Sequence, residues 1–225
     1  MAKRKIIAID GPSGAGKSTT AKALAERLGY IYVDTGAMYR AIGWKTKKEM
    51  ILLTEESLKN LCSITDIRLD RSPTGVGMKI FVDGIDVTEE IRTPEMGMMA
   101  SAVSAFQCVR ERLLELQRGM GRNGGIVMEG RDIGTVVFPD ADIKFFLDAK
   151  IEERGKRRHL DLKSKGMGDD LVRVTDEIRK RDEADIARTL APLKKAGDAL
   201  YIDSSNMTVQ EVVETMLKEI KKDEG

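Results

Sequence analysis

Short apolar runs rich in β-branched residues recur along the chain at 5–9, 30–33, 126–128, 143–147 and 199–202. Polar stretches of helical composition separate them, and 17–28, rich in Ala, Leu, Glu and Lys, is the clearest. Runs that are apolar without alternation are buried on both faces. Five of them linked by helices therefore predict a five-stranded parallel sheet with helices on both sides. Residues 66–87 break this rhythm: Ile67 and Leu69, then Ile80 and Val82, alternate with polar positions around Ser72-Pro73-Thr74-Gly75. Asp83-Gly84, set between Phe81-Val82 and Ile85, is a further hairpin signal. The pattern predicts about 20 residues of antiparallel sheet inserted into the parallel core. A long helical pattern returns over 94–118 and ends at the glycine-rich stretch 119–125. No repeat or low-complexity linker interrupts it.

Composition narrows the function classes. A chain of 225 residues with 41% hydrophobic residues buries a real core, which argues against disorder. Its 38 basic residues face 37 acidic ones, so nonspecific nucleic-acid binding is not expected and any anion site must be local. Lys3, Arg4 and Lys5 precede only four apolar residues before Asp10, too few for a signal-peptide core or a membrane span. The expectation is a soluble, cytoplasmic protein with no membrane partner. Cys62 and Cys108 are far apart and form no C-x-x-C, and the single histidine, His159, has no neighbouring ligand set. A disulfide framework and a His/Cys zinc site are therefore not expected.

The strongest chemical signal is Gly11-Pro12-Ser13-Gly14-Ala15-Gly16-Lys17-Ser18, which fits G-x-x-x-x-G-K-[ST] between a predicted strand and a predicted helix. Glycines let the backbone wrap phosphate oxygens, so that successive N–H groups and the helix N-terminus point at negative charge. In such a loop Lys17 reaches the β- and γ-phosphates and the Ser18 hydroxyl meets Mg²⁺. The guanine-reading N-K-x-D and the γ-phosphate-sensing D-x-x-G of switch GTPases are both missing. A small kinase is the natural remainder.

Such an enzyme needs a second pocket, and its charge depends on the acceptor. A hydroxyl acceptor wants a carboxylate to take its proton, whereas a phosphate acceptor arrives nearly dianionic and needs cations. Arg40 and Arg131 each follow the end of a predicted strand, where open α/β sheets bind ligands. Arg181, Asp185 and Arg188 recur at i, i+4 and i+7, on one face if 175–188 is helical. That face is either a phosphate clamp on a closing lid or a solvated ion-pair helix. Asp132 taken alone is also compatible with a general base for a hydroxyl acceptor. The candidates from composition and motif are thus a phosphate-acceptor kinase, a hydroxyl-acceptor kinase and a nucleotide-binding regulator that transfers nothing.

Six ordered blocks sharpen the choice. They are Ile9-Asp-Gly-Pro-Ser-Gly-Ala-Gly-Lys-Ser18, Asp34-Thr-Gly-Ala-Met-Tyr-Arg40, Glu90-Ile-Arg-Thr-Pro94, Gly130-Arg-Asp-Ile-Gly-Thr-Val-Val-Phe-Pro139, Arg181-Asp182 and Ala191-Pro-Leu193. Together they resemble the bacterial cytidylate kinases over about residues 6–220. The resemblance implies phosphoryl transfer from ATP, with Mg²⁺, to CMP or dCMP, by a monomer. It implies a core at about 1–35, 95–150 and 190–225, an acceptor-binding insert at about 36–94 and a lid at about 151–189.

By the same resemblance, Gly11, Pro12, Ser13, Gly14, Ala15, Gly16, Lys17, Ser18, Thr19 and Arg157 hold ATP, with Ser18 on the metal. Ser101, Arg110 and Asp132 match positions that read the cytosine edge. Thr35 and Tyr39 line that pocket, Arg40, Arg131 and Arg188 match positions near the phosphates, Arg181 faces the acceptor nucleotide, Asp185 matches a sugar-contacting position, and Lys17, Arg131, Arg181 and Arg188 are implied as the catalytic cations. Two departures stand out. Thr35 replaces a frequent serine, keeping the hydroxyl but adding a methyl, and Glu129 stands where aspartate is also common, so it receives no ligand role. His159 is expected to be a solvated lid residue. The basic cluster Arg154, Lys156, Arg157 and Arg158 is expected either to grip ATP or to be wet surface, and Met96, Met98, Met99 and Met120 to pack rather than ligate.

Overall fold

The computed structural model describes residues 4–71, 78–164, 166 and 170–222. The turn expected at Ser72-Pro73-Thr74-Gly75 lies outside the described residues. Five strands, β1 (Ile6–Asp10), β2 (Ile31–Asp34), β6 (Ile126–Gly130), β7 (Ile143–Asp148) and β8 (Leu200–Asp203), form one sheet in the order β2-β6-β1-β7-β8. Every pairing in it is parallel, with Ile6 opposite Ile126 and Ile7 opposite Ile143. Alternation splits the sheet into two buried faces. Ile7 and Ile9 pack with Val127, Phe145 and Leu147 under α1 (Lys17–Leu28) and α8 (Val209–Lys222), while Ala8, Val33 and Met128 pack with Ile133 and Val137 on the other side. Burial on both faces is why these strands read as unbroken apolar runs.

The insert contains more helix than the sequence pattern suggests. Helix α2 (Thr35–Lys48) follows β2 without a loop, because the Asp34 carboxylate caps it by accepting the Ala37 N–H at 3.0 Å. Helix α3 (Glu55–Ile64) is capped by Thr54 and buries Leu58, Leu61 and Cys62. The expected antiparallel sheet follows as β3 (Ile67–Arg71), β4 (Met78–Val82) and β5 (Ile85–Asp86), with the β4–β5 turn at Asp83-Gly84.

The helix expected over 94–118 is two helices, α4 (Pro94–Val103) and α5 (Gln107–Gly121), and α5 runs into the glycines expected to be loop. Between them the Ser104 hydroxyl donates to the Ser101 carbonyl, and Ala105 and Phe106 make i→i−3 bonds before Phe106 turns extended. Serine offering its own backbone an alternative bond is a common way for a helix to end. Beyond the single-turn π-helix 133–137, α6 (Ile151–Ser164) packs on α7 (Leu171–Ala187) through Leu162, Val174 and Ile178. Arg188 lies one residue past α7 with extended ψ, so the expected helical triad becomes a helix end plus a cap. Among the described residues, no helix is long and apolar enough to cross a membrane.

Candidate active site

A single cleft of about 1430 Å³ opens at the C-terminal ends of β1, β2 and β6 and takes in the insert and both α6 and α7. Its floor is the phosphate loop. Gly11 turns the chain away from β1 at φ +152°, and a Cβ there would stand 1.9 Å from the Leu147 carbonyl oxygen, so no side chain fits. Gly16 then delivers Lys17 to the first turn of α1. Lys17 is 5% exposed and its Nζ donates to the Pro12 carbonyl at 2.7 Å. Burial, and next the Arg131 guanidinium, pull its ammonium down to about 7. The loop is therefore charged weakly until an anion arrives.

Beside it, the Glu129 carboxylate accepts from the Tyr32 hydroxyl at 2.8 Å, and Ser18 lines the same cleft. Burial, and then Asp34, push the Glu129 carboxyl up. A hydroxyl and carboxylates are the hard oxygen donors Mg²⁺ prefers, and a cation held partly by substrate phosphates needs only one or two of them. Among the described residues no group of three or more His, Cys, Asp or Glu could hold a metal unaided. The donor set fits a Mg²⁺ that shares its ligands with a nucleotide.

The opposite part of the cleft is built from half-buried arginines around the buried Asp185. Asp185, 1% exposed, accepts Arg131 Nε at 2.8 Å on one oxygen and pairs with Arg188 through the other. Arg188 Nη2 also donates to the Ser101 hydroxyl at 3.3 Å. This burial excludes the solvated ion-pair reading of the Arg181, Asp185, Arg188 face. Arg181 has a buried Nε without a partner, and burial followed by Arg131 brings its guanidinium down to about 10. Arg40 pairs with Asp34 at 2.7 Å and likewise keeps a buried, unpartnered Nε. Buried donors left open cost stability, so their aggregation in one cleft marks it as a receptor for anions.

Arg110 pairs with Asp132, donates to the Ser104 carbonyl at 3.3 Å and lies 5.7 Å from the Tyr39 ring centroid. The helix break at Ser104 thus supplies one of the bonds that aim Arg110. Burial raises the Asp132 carboxyl, with Arg110 and Arg188 opposing, and burial pushes the Tyr39 hydroxyl up to about 12. Asp10 underpins this corner by accepting the Ile133 and Gly134 N–H groups at 2.8 and 2.7 Å. Burial raises its carboxyl to about 6. Thr35 Oγ1 donates to the Glu129 carbonyl at 2.7 Å.

Of the residues expected in the site, Ser13, Gly14, Ala15, Gly16, Lys17, Ser18, Thr19, Thr35, Tyr39, Arg40, Ser101, Arg110, Arg131, Asp132, Arg157, Arg181, Asp185 and Arg188 all line this cleft. Gly11 and Pro12 do not: the first is packed against β7 and the second offers its carbonyl to Lys17.

The basic cluster of α6 divides. Arg157 donates to the Ser204 carbonyl at 2.6 Å at the cleft edge, and Lys156 pairs with Glu153 in solvent. Arg154 does not line the cleft and is buried against Ser13 and Asp182. His159 is half-buried, with an unpartnered Nδ1. Met96 is buried, Met120 packs in two core clusters and Met98 is exposed. The sequence assigned no role to Asp34, Asp10 and Asp182, and it left Arg154 between an ATP grip and wet surface. Asp34 alone had a local signal, as a capping residue at a strand–helix junction.

A phosphate loop following the central strand of a parallel sheet, facing a second pocket of clustered arginines across one cleft, defines a P-loop phosphotransferase. The fold is shared, at TM-score 0.53 and 13% identity, with a gluconokinase from Sinorhizobium meliloti, over 99% of this chain and 94% of that one. The cytidylate kinase family model matches residues 7–222. A cytidylate kinase from Geobacter sp. strain M21 is 50% identical over 96% of this chain and 93% of its own length. One from Caldicellulosiruptor saccharolyticus is 49% identical over 96% and 95%. The chain belongs to the cytidylate kinase family.

Proposed function

We propose that this chain transfers the γ-phosphoryl group of ATP to CMP or dCMP, giving ADP and CDP or dCDP. The observation that carries the reading is the single cleft in which the phosphate loop and the Arg110–Asp132 pair are joined by Arg131, Asp185 and Arg188. A kinase for a hydroxyl acceptor needs a carboxylate free to take a proton. Here Asp132 is engaged by Arg110, and Asp185 by two arginines.

The chemistry follows from charge. An acceptor phosphate oxygen forms a bond to the γ-phosphorus while the bond from that phosphorus to the β–γ bridging oxygen breaks, and ADP leaves with that electron pair. Two polyanions must touch for this, and Lys17, Arg40, Arg131, Arg181 and Arg188 offset their repulsion and stabilise charge on the group in flight. Ser18 and Glu129 would hold Mg²⁺, which would supply positive charge to offset that of the ATP phosphates. Asp132 accepts from the cytosine N4 amine, which uracil lacks, and Arg110 and Ser101 supply donors for the ring acceptors. Asp185 meets the acceptor sugar. The loop from Ser13 to Thr19, with Arg157, binds ATP. The insert (about 36–94) holds the acceptor, and the lid (about 151–189) closes over the core (about 1–35, 95–150 and 190–225) and excludes water that would hydrolyse ATP. The protein acts as a cytoplasmic monomer. Its two free, buried cysteines suit a reducing compartment.

A panel assay tests the reading: ATP, Mg²⁺ and each of CMP, dCMP, UMP, AMP and GMP, with diphosphate products separated by chromatography. CDP and dCDP should dominate. Equal turnover of every acceptor, or ATP hydrolysis without transfer, rejects it.

A further inference from the structure

Arg154 on α6 and Asp182 on α7 are both buried, yet neither lines the cleft. They pair with each other, and together they hold the phosphate loop from behind. Asp182 Oδ1 accepts the Ser13 N–H at 2.9 Å, while Arg154 Nη1 donates to the Ser13 carbonyl at 3.0 Å. Arg154 is itself fixed, its Nε donating to the Ala149 carbonyl at 2.8 Å and lying 3.9 Å from Asp148 Oδ1. The contact is close: a Cβ on Gly14, at φ +76°, would stand 3.1 Å from Arg154 Cβ and from its carbonyl oxygen.

The Pro12–Ser13 peptide is therefore gripped at both ends. Its carbonyl accepts Lys17 Nζ and its N–H is taken by Asp182. The orientation of that peptide decides where Lys17 rests, and the following peptide opens the run of N–H groups that wraps phosphate. A carboxylate on an N–H and a guanidinium on the next carbonyl are charge-assisted bonds shielded from water, so they fix orientation strongly. The two partners come from different lid helices, 28 residues apart in sequence.

We propose that Arg154 and Asp182 are positioning residues of the ATP site: they lock the peptides flanking Ser13 and make the loop's affinity for nucleotide depend on α6 staying docked on α7. The inference rests on reading the loop as the ATP site, and it is independent of which acceptor the enzyme phosphorylates.

A buried ion pair replaced wholly by apolar residues usually leaves stability intact, whereas removing one partner does not. That difference separates positioning from mere packing. The variants are Asp182→Ala, Asp182→Asn, Arg154→Met and the double Arg154→Met with Asp182→Leu. Each is titrated calorimetrically with ADP and with CMP, and its Tm is measured. Asp182→Ala and Arg154→Met should each lose roughly ten- to a hundredfold in ADP affinity, with CMP affinity within about twofold of wild type. The double variant should recover Tm but not ADP affinity, and Asp182→Asn, which keeps an oxygen for the Ser13 N–H, should regain part of it. Recovery of ADP affinity together with Tm in the double variant, equal losses for Asp182→Asn and Asp182→Ala, or CMP weakening in step with ADP would each overturn the proposal. ADP binding by a wild-type protein that phosphorylates no nucleotide would sink the CMP kinase reading and leave this one standing.

Discussion

Nucleotide binding should draw a proton from solvent, and Lys17 is the group that takes it. In the free protein burial and Arg131 hold its ammonium at about 7. At pH 8.5 that leaves roughly 3% of molecules charged at Nζ. Phosphates brought against Nζ restore an ordinary lysine value near ~10.4, at which about 99% is charged at the same pH. The difference is close to one proton per nucleotide, and affinity should fall about tenfold per pH unit within the window from about 7 to ordinary lysine values. The second ionisation of a phosphate ester, near ~6, is complete at pH 8.5 and adds nothing. The sign for stability is the reverse: the unfolded chain binds more protons at Lys17 across that window, so the ligand-free fold gains stability from this group as pH rises. Titration with a nonhydrolysable ATP analogue at pH 8.5, in two buffers of widely different ionisation enthalpy, reads the proton number directly. Wild type should take up nearly one, and Lys17→Arg, whose guanidinium never discharges, should take up almost none. No uptake by wild type, or equal uptake by Lys17→Arg, refutes the reasoning.

Other perturbations test separate parts of the site. Asp132→Ala removes the acceptor for the N4 amine, and the ratio of kcat/KM for CMP over UMP should drop by at least about tenfold; an unchanged ratio removes Asp132 from base reading. Asp185→Ala strands the Arg131 and Arg188 guanidiniums, so denaturant unfolding should show a loss of about 3 kcal/mol, partly restored by added ATP; an unshifted midpoint would mean that solvent already compensates them. Gly11→Ala forces a methyl against the Leu147 carbonyl and should cost more than about 2 kcal/mol or prevent folding; a wild-type melting curve would contradict the packing described.

What the sequence revealed was local. The phosphate loop needs glycines and a lysine within eight positions, and the doubly buried strands leave apolar runs that no other environment requires. Both could be read directly. Helix α3 was legible but unread: Thr54 caps it, and Leu58, Leu61 and Cys62 follow at helical spacing. The end of α4 was harder, because residues 94–118 carry continuous helical composition and the break at Ser104 depends on one hydroxyl choosing the Ser101 carbonyl. Arg188 fits the helical spacing and leaves the helix anyway. The Arg154–Asp182 pair had no signature at all, since its meaning depends on the packing of α6 on α7 behind the loop. Composition likewise left the arginines of the second pocket ambiguous between solvent and substrate, and the pairing of Arg131 and Arg188 with the buried Asp185 depends on packing that no local pattern records.

If the loop takes ATP and the arginines take a cytosine nucleotide, one cleft must seat two anions at once. The most direct measurement is a calorimetric titration of CMP into protein saturated with Mg²⁺ and a nonhydrolysable ATP analogue, with UMP as the control. One CMP should bind per chain, at least about tenfold more tightly than UMP. A ternary complex that never forms, or one that forms equally with UMP, contradicts it.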